Sequence, residues 1–450
     1  MTVDFLTLSL PMLPMLPILL LGILAFYVAA NLGANDVANS MGTSVGSKAL
    51  TLRQALIVAG ILEFTGAVIF GHEVAETLAT QVVNTRFFVG QPEVLLLGMV
   101  SVMVACGLWL QIATSWGLPV SSSHGVVGAL AGFSWVAAGF QAVDWQTIGV
   151  ISVTWLVTPL VSGAIAAGFY GVVKYSILDR AAPMQQLQEW TPWLSAALFG
   201  IFGAIALPTV TAPVNHWIGD EFGVILPPQD LPLLLGTFAA VTVTVMIWRS
   251  AEAGKNIDNN IDHNLDNNLK KDGKNASANR WLVEKQLAKF QVISACFVAF
   301  AHGSNDVGNA IAPLAAISYI LRTGEIPGAN FQIPVWILIL GGTGIVTGLA
   351  IWGKNVITTV GEKIISLQPS GGFCAELATA TTVLIASRLG LPVSTSHALV
   401  GGVVGIGLVQ NFRSIRLETM RSIILAWLTT VPFSAGLAAA IFWLLNWLIY

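Results

Sequence analysis

Gly33-Ala-Asn-Asp-Val-Ala-Asn-Ser40 decides how this chain is read, because residues 303–310 say it again as Gly-Ser-Asn-Asp-Val-Gly-Asn-Ala. Both copies lie inside long apolar runs. Each sets a carboxylate, Asp36 or Asp306, and two amides, Asn35 with Asn39 or Asn305 with Asn309, where a membrane helix ordinarily carries neither. An acid at the bilayer centre costs about 2.5–3.5 kcal/mol on insertion scales. Two such placements in matching positions point to a working site with a cation as its partner. Polar helix packing is the plainer reading, but a packing contact does not need Asp.

Around these motifs the chain is 55% hydrophobic and only 10% charged over 450 residues, whereas soluble domains are about a quarter charged. Runs of about 20 apolar residues recur along the whole length, so the expected fold class is an all-α polytopic membrane protein. The spans lack the dyad alternation of a β-barrel. A net charge of −3 without a basic cluster gives no reason to expect a nucleic-acid partner. Cys106, Cys296 and Cys374 each lie in an apolar run, with no Cys-x-x-Cys and no His at ligand spacing. They read as small buried hydrophobes. The first apolar run, Leu8 to Ala30, follows no basic n-region and reads as a retained helix rather than a signal peptide.

In chain order, Pro11, Pro14 and Pro17 open the first span, which the motif is expected to break between Asn31 and Ser40. A second span, about 54–71, carries Glu63. Apolar segments near 94–115 and 124–140 are joined by Gly117-Leu-Pro-Val-Ser-Ser-Ser-His124. Further spans lie near 146–173, 194–216 and 231–248. Residues 249–289 are the one long polar stretch. Ile257, Ile261, Leu265 and Leu269 recur there every four residues, which would suit a weak surface helix, but the low-complexity run around them reads as a flexible linker. The order of events then recurs: a broken span near 290–320, a Gly-rich span at 333–353, and paired segments joined by Gly390-Leu-Pro-Val-Ser-Thr-Ser-His397. A last span follows near 420–448.

The Asn-Asp motifs are offset by 303 − 33 = 270 residues and the Leu-Pro-Val motifs by 390 − 117 = 273, which marks an internal repeat. The expected division is a first repeat at 1–175, additional transmembrane helices at 176–248, a cytoplasmic linker at 249–289 and a second repeat at 290–450. If the linker is cytoplasmic and each Leu-Pro-Val pair is a re-entrant helical hairpin, 17 of the 20 Lys and Arg residues fall inside. Arg86 and Arg322 fall outside, and Arg388 lies within the second hairpin. An odd number of crossings between repeat starts then makes the two repeats inverted in topology, an architecture whose substrate sites form near the midplane.

At each hairpin tip proline stops one helix, and Ser121, Ser122 and Ser123, or Ser394, Thr395 and Ser396, stand where the next begins. Serine is a favoured N-cap, and the first N–H groups of a helix have no partner of their own. Hydroxyls beside a helix start make a neutral anion cradle, against the plainer reading that they only cap. His124 and His397 close the motifs as anion donors or as structural histidines. The Asn-Asp motifs offer hard oxygen ligands, suited to Na⁺ or to a proton on Asp36 and Asp306. Carrying a dianion inward against 100 mV costs about 4.6 kcal/mol, at ~2.3 per charge, which two or three co-transported cations would offset. Glu63 and Glu376 are further acids in apolar spans, for coupling, gating or structural hydrogen bonds; by alignment Glu63 faces Ile345 and Glu376 faces Met103. Arg388 either attracts anions or snorkels to the interface.

With these residues the chain resembles the PiT family of inorganic phosphate transporters, Na⁺- or H⁺-coupled symporters. The resemblance rests on both Asn-Asp motifs with the following Ile311-Ala-Pro313, both Gly-Leu-Pro-Val-Ser-x-Ser-His loops, and the Glu63 and Glu376 contexts. It implies an inverted-repeat core, secondary-active phosphate uptake without a bound cofactor, and multi-pass residence in the plasma membrane as a homodimer. It also implies that Asp36 and Asp306 are needed for transport, that the serine-rich tips hold phosphate, and that Glu63 and Glu376 matter. Arsenate and sulfate are the alternative substrates, since sulfate permeases look similar. A remote alternative is an intramembrane serine hydrolase at Ser123-His124 or Ser396-His397, although neighbouring positions rarely give nucleophile–base geometry. A passive anion channel is the third.

Overall fold

The computed structural model describes residues 15–116, 120–224, 226–262, 272–328, 331–360 and 367–450. Among these residues there is no β-strand, only one isolated bridge between Val83 and Val143. Fourteen α-helices run in the order α1 (Met15–Gly46), α2 (Leu52–Phe70), α3 (His72–Thr80), α4 (Pro92–Ser115), α5 (Ser122–Ala138), α6 (Trp145–Val173) and α7 (Pro183–Ile205). They continue with α8 (Leu207–Phe222), α9 (Asp230–Asp262), α10 (Asp272–Thr323), α11 (Val335–Val360), α12 (Pro369–Arg388), α13 (Thr395–Gln410) and α14 (Leu417–Ile449). Eight are long and apolar enough to cross a bilayer, or nine with the bent pair α7–α8 taken as one span. The all-α polytopic class is therefore the one observed.

Polarity is arranged for lipid rather than for water. Leu156 and Leu160 on α6, Phe238 on α9 and Leu428 on α14 are 67–71% exposed, as side chains are that meet acyl chains. Buried polar residues instead gather inside: Asn35, Asp36, Glu63, His302, Asn305, Asp306 and Glu376 all have less than a tenth of their surface exposed. Helices in lipid associate by close packing and interhelical hydrogen bonds, which favours small residues at their contacts. The two motif glycines show this. A Cβ on Gly303 would fall within bonding range of the Glu63 carbonyl, and a Cβ on Gly33 would do the same at Ile345.

Those contacts also cross between the two halves of the chain. α1 packs along α11 while α10 packs along α2, and α5 packs on α14 while α13 packs on α6. Neither half completes its own core; each hairpin is seated on a long helix of the other.

Three expectations change. The Asn-Asp motifs do not break their helices: α1 runs unbroken through Asn31–Ser40, and α10 through 303–310. Asn35 and Asn305 reach neighbouring helices through their side chains, and the backbone of both motifs stays within the helix. The observed break lies elsewhere, at Ala206, where α7 and α8 meet at 63° and Pro208 removes a backbone donor. Finally, most of the polar stretch 249–289 is helical. α9 continues to Asp262 and α10 begins at Asp272, because extending a helix already nucleated in the membrane costs little per residue. Residues 263–271, the first turns' Pro11 and Pro14, and the tip residues 117–119 lie outside the described residues.

Candidate functional site

The short arms carry the tips. α5 has 17 residues and α13 has 16, too short at 1.5 Å per residue for a hydrocarbon core of about 30 Å. Ser121 caps α5, its hydroxyl accepting the His124 N–H at 3.3 Å, and Ser394 caps α13 in the same way from His397 at 3.3 Å. Two of the six expected anion ligands thus act first as helix caps. Ser394 Oγ also lies 2.9 Å from Ser396 Oγ.

Three of the remaining four hydroxyls, those of Ser122, Ser123 and Thr395, contact the second Asn-Asp motif. Asn309 Nδ2 donates to both Ser122 Oγ and Ser123 Oγ at 3.1 Å, and Thr395 Oγ1 donates to Asp306 Oδ2 at 2.9 Å. Ser123 Oγ donates to the Val393 carbonyl of the opposite tip at 2.7 Å. Both serine loops and the second Asn-Asp motif therefore meet at one buried place. Asp36 joins them: Asp36, His302 and Asp306 offer side-chain atoms all within 4.8 Å of one another. Asp36 Oδ1 accepts from Asn39 Nδ2 at 2.9 Å, while Asp36 Oδ2, Asp306 Oδ1 and Asn309 Oδ1 accept no hydrogen bond. Convergent buried oxygens without donors are what a hard cation binds.

The first Asn of each motif does something different. Asn35 Nδ2 donates to Thr114 Oγ1 on α4 at 2.9 Å, and Asn305 Nδ2 to Ser387 Oγ on α12 at 3.1 Å and to the Leu391 carbonyl at 3.2 Å. These amides tie the motif helices to the hairpins' outer arms, at positions that correspond between the halves.

The two glutamates part company. Glu63 accepts from Ser40 Oγ at 2.8 Å and stands 3.2 Å from His302 Nδ1, whose Nε2 stands 3.0 Å from Asp306 Oδ2. These are ion-pair distances without hydrogen-bond alignment. Glu63 is thus one imidazole away from the aspartates. Glu376 lies in a nest of its own, accepting from Thr43 Oγ1 (2.5 Å), Ser44 Oγ (2.7 Å), Ser294 Oγ (2.7 Å) and Gln291 Nε2 (3.4 Å). The sequence reading passed over His302 and these donors. His302 had a visible signal, an ionisable residue one turn before Asp306 on the same helix face. Nothing in the sequence links Thr43 or Ser294 to Glu376.

His124 and His397 sit back to back behind the tips. His124 stacks on Trp155 with ring centroids 3.8 Å apart, His397 on Trp427 at 3.6 Å, and the two imidazoles lie edge to face at 4.7 Å. Each Nδ1 reaches the other tryptophan's carbonyl, His124 to Trp427 at 3.3 Å and His397 to Trp155 at 3.1 Å. A ring nitrogen facing a carbonyl must donate, which holds both rings in place. These contacts are structural, and among the described residues no acid pairs with either ring to orient it for nucleophilic work with Ser123 or Ser396.

A lipid-embedded helical bundle whose two hairpin tips meet over buried carboxylates has the build of a membrane transporter. The chain belongs to the phosphate transporter family, which it matches over residues 32–438. It is 37% identical over 429 residues to the chloroplastic inorganic phosphate transporter 2-1 of Arabidopsis thaliana, covering 93% of this chain and 70% of that protein. A solved structure of a sodium-dependent phosphate transporter superposes with a TM-score of 0.80 at 36% identity, covering 96% of this chain and 99% of that one. The family is one of transporters and not of enzymes, so the serine-hydrolase alternative falls.

Proposed function

We propose that this transporter takes up inorganic phosphate together with Na⁺ by alternating access, with the anion between the tips and the cations at the aspartates. Phosphate is cradled by Ser122, Ser123, Thr395 and Ser396, with Ser121 and Ser394 shaping the helix starts. Asp36, Asn39, Asp306 and Asn309 hold Na⁺, and Asn35 and Asn305 couple the motif helices to the hairpins. The observation that carries this reading is the shared contact of Asn309 with Ser122 and Ser123, beside that of Thr395 with Asp306. An anion held by these hydroxyls would stand against acids that repel it unless cations came with it. The exchanged packing of the halves supports two inverted repeats, roughly 1–175 and 290–450, with the linker 249–289 cytoplasmic. Plasma-membrane residence, a homodimer and transport of arsenate belong to the same proposal.

The test is uptake of labelled phosphate into proteoliposomes, with a Na⁺ gradient and a pH gradient imposed separately. Accumulation driven by Na⁺ alone is expected; accumulation only under the pH gradient would make the coupling ion H⁺, and equilibration without accumulation would make the protein a channel. Asp36→Asn and Asp306→Asn should each abolish Na⁺-driven uptake while leaving the elution profile of the purified protein unchanged. Excess unlabelled sulfate should leave uptake in place, whereas unlabelled phosphate and arsenate suppress it.

A further inference from the structure

Arg388 ends α12, six residues before Ser394. It is the one Lys or Arg among the described residues of the second hairpin, and its side chain is exposed. Its guanidinium donates to Thr209 Oγ1 on α8 and lies 5.4 Å above the ring of Phe70, the last residue of α2. Among the described residues no carboxylate lies within ion-pair distance of it. A guanidinium held by a hydroxyl and an aromatic face keeps most of its five donors and its full charge for another partner.

The residues around it belong to the site. Ser387, just before it, and Leu391, three residues after, both accept from Asn305 Nδ2. Gly390 turns the chain at φ +64, and a Cβ there would stand 3.0 Å from Thr77 Oγ1 on α3. With the linker cytoplasmic, α2 begins inside, so its Phe70 end and the following α3 lie toward the outside. Arg388 thus stands on the outward side of the second tip, where an anion entering from outside would come first.

Electrostatics makes that position consequential. Inside the tips an anion would face Asp36 and Asp306, with Glu63 behind them, and among the described residues His302 is the one nitrogen base paired with these acids. Approach toward this group is unfavourable before Na⁺ has neutralised it. A fixed cation at the mouth raises the local anion concentration and offsets the repulsion during entry.

We propose that Arg388 captures the incoming phosphate, holding it by charge at the outer mouth before the hydroxyls of the two tips take it. The inference rests on the phosphate reading above. Arg388 is not needed for the transfer of Na⁺, so its loss should act on the apparent affinity for phosphate and not on turnover.

The experiment is Na⁺-driven phosphate uptake over a range of phosphate concentrations by wild type, Arg388→Gln and Arg388→Lys, at low and high ionic strength set with choline chloride at constant Na⁺. Capture predicts a KM for Arg388→Gln raised about tenfold, with kcat within about twofold of wild type. Arg388→Lys, which keeps the point charge and loses the fork, should stay within about threefold of the wild-type KM. The wild-type KM should rise with ionic strength and that of Arg388→Gln should not, because only the former depends on a screened charge. An unchanged KM in Arg388→Gln overturns the proposal. So does a fall in kcat at constant KM in both variants, which would make the residue a latch between α12 and α8. Should Arg388→Gln fail to fold, a wild-type KM indifferent to ionic strength is enough to overturn it. Absence of phosphate uptake by wild type would instead overturn the functional reading itself, and the capture role with it.

Discussion

At the scale of single residues, the site separates carboxylates by what surrounds them. Asp36 and Asp306 keep oxygens without donors, as cation ligands would, whereas Glu376 is saturated by three hydroxyls and an amide. Its surroundings therefore depend on it more than on any ion. Replacing it with Leu would strand the Thr43, Ser44 and Ser294 hydroxyls, each at a cost of about 1–3 kcal/mol where no other acceptor is reached. Glu376→Leu is expected to lower the melting temperature of the purified protein in detergent by several degrees, and Glu376→Gln, which keeps an acceptor, by clearly less. A melting curve for Glu376→Leu superimposable on wild type would show that the nest is not structural. The sequence showed both glutamates as intramembrane acids, but not that one would be satisfied by neighbours and the other tied to the aspartates through His302. That difference lies in residues up to 333 positions away along the chain.

At the scale of elements, the motif helices show how far local signals reach. A Gly-Ala-Asn-Asp run in an apolar helix reads locally as an interruption, since Gly and Asn weaken helices by propensity. Here Gly33 and Gly303 serve closeness instead, letting α1 lie on the α11 backbone and α10 on that of α2. Adding a methyl group at either contact must push two backbones apart, at a cost of about 1–3 kcal/mol. Gly33→Ala and Gly303→Ala should therefore give lower yields of folded protein and lower melting temperatures. Gly168→Ala on α6, where a Cβ would meet nothing within 4 Å, should be silent or slightly stabilising. Equal behaviour of the three variants would contradict the close-approach account. The bend between α7 and α8 is the converse case, a real break in a segment that the hydropathy profile showed as one span.

At the scale of the whole molecule, the two halves are interlocked through their longest helices, and the described contact between them does not depend on the chain joining α9 to α10. Cutting the polypeptide within residues 263–271 leaves α1–α9 and α10–α14 intact as separate chains. Co-expressed, they should assemble and restore phosphate uptake; either alone should leave its hairpin unseated and show none. Uptake by one half alone would mean that the site does not need both. The sequence by itself determined the class of protein and showed the doubled motifs and the kinds of residue they carry. Hydropathy over twenty residues, a doubled motif and a serine-rich tip are properties of contiguous stretches, and contiguous stretches are what a sequence displays. The tertiary structure alone decided that α1 and α10 stay helical through their motifs, that His124 and His397 grip each other's tryptophans, and that Glu63 rather than Glu376 joins the aspartates. The last two turn on which polar group a buried side chain meets on a distant helix, and such neighbours are set by packing, not by position along the chain.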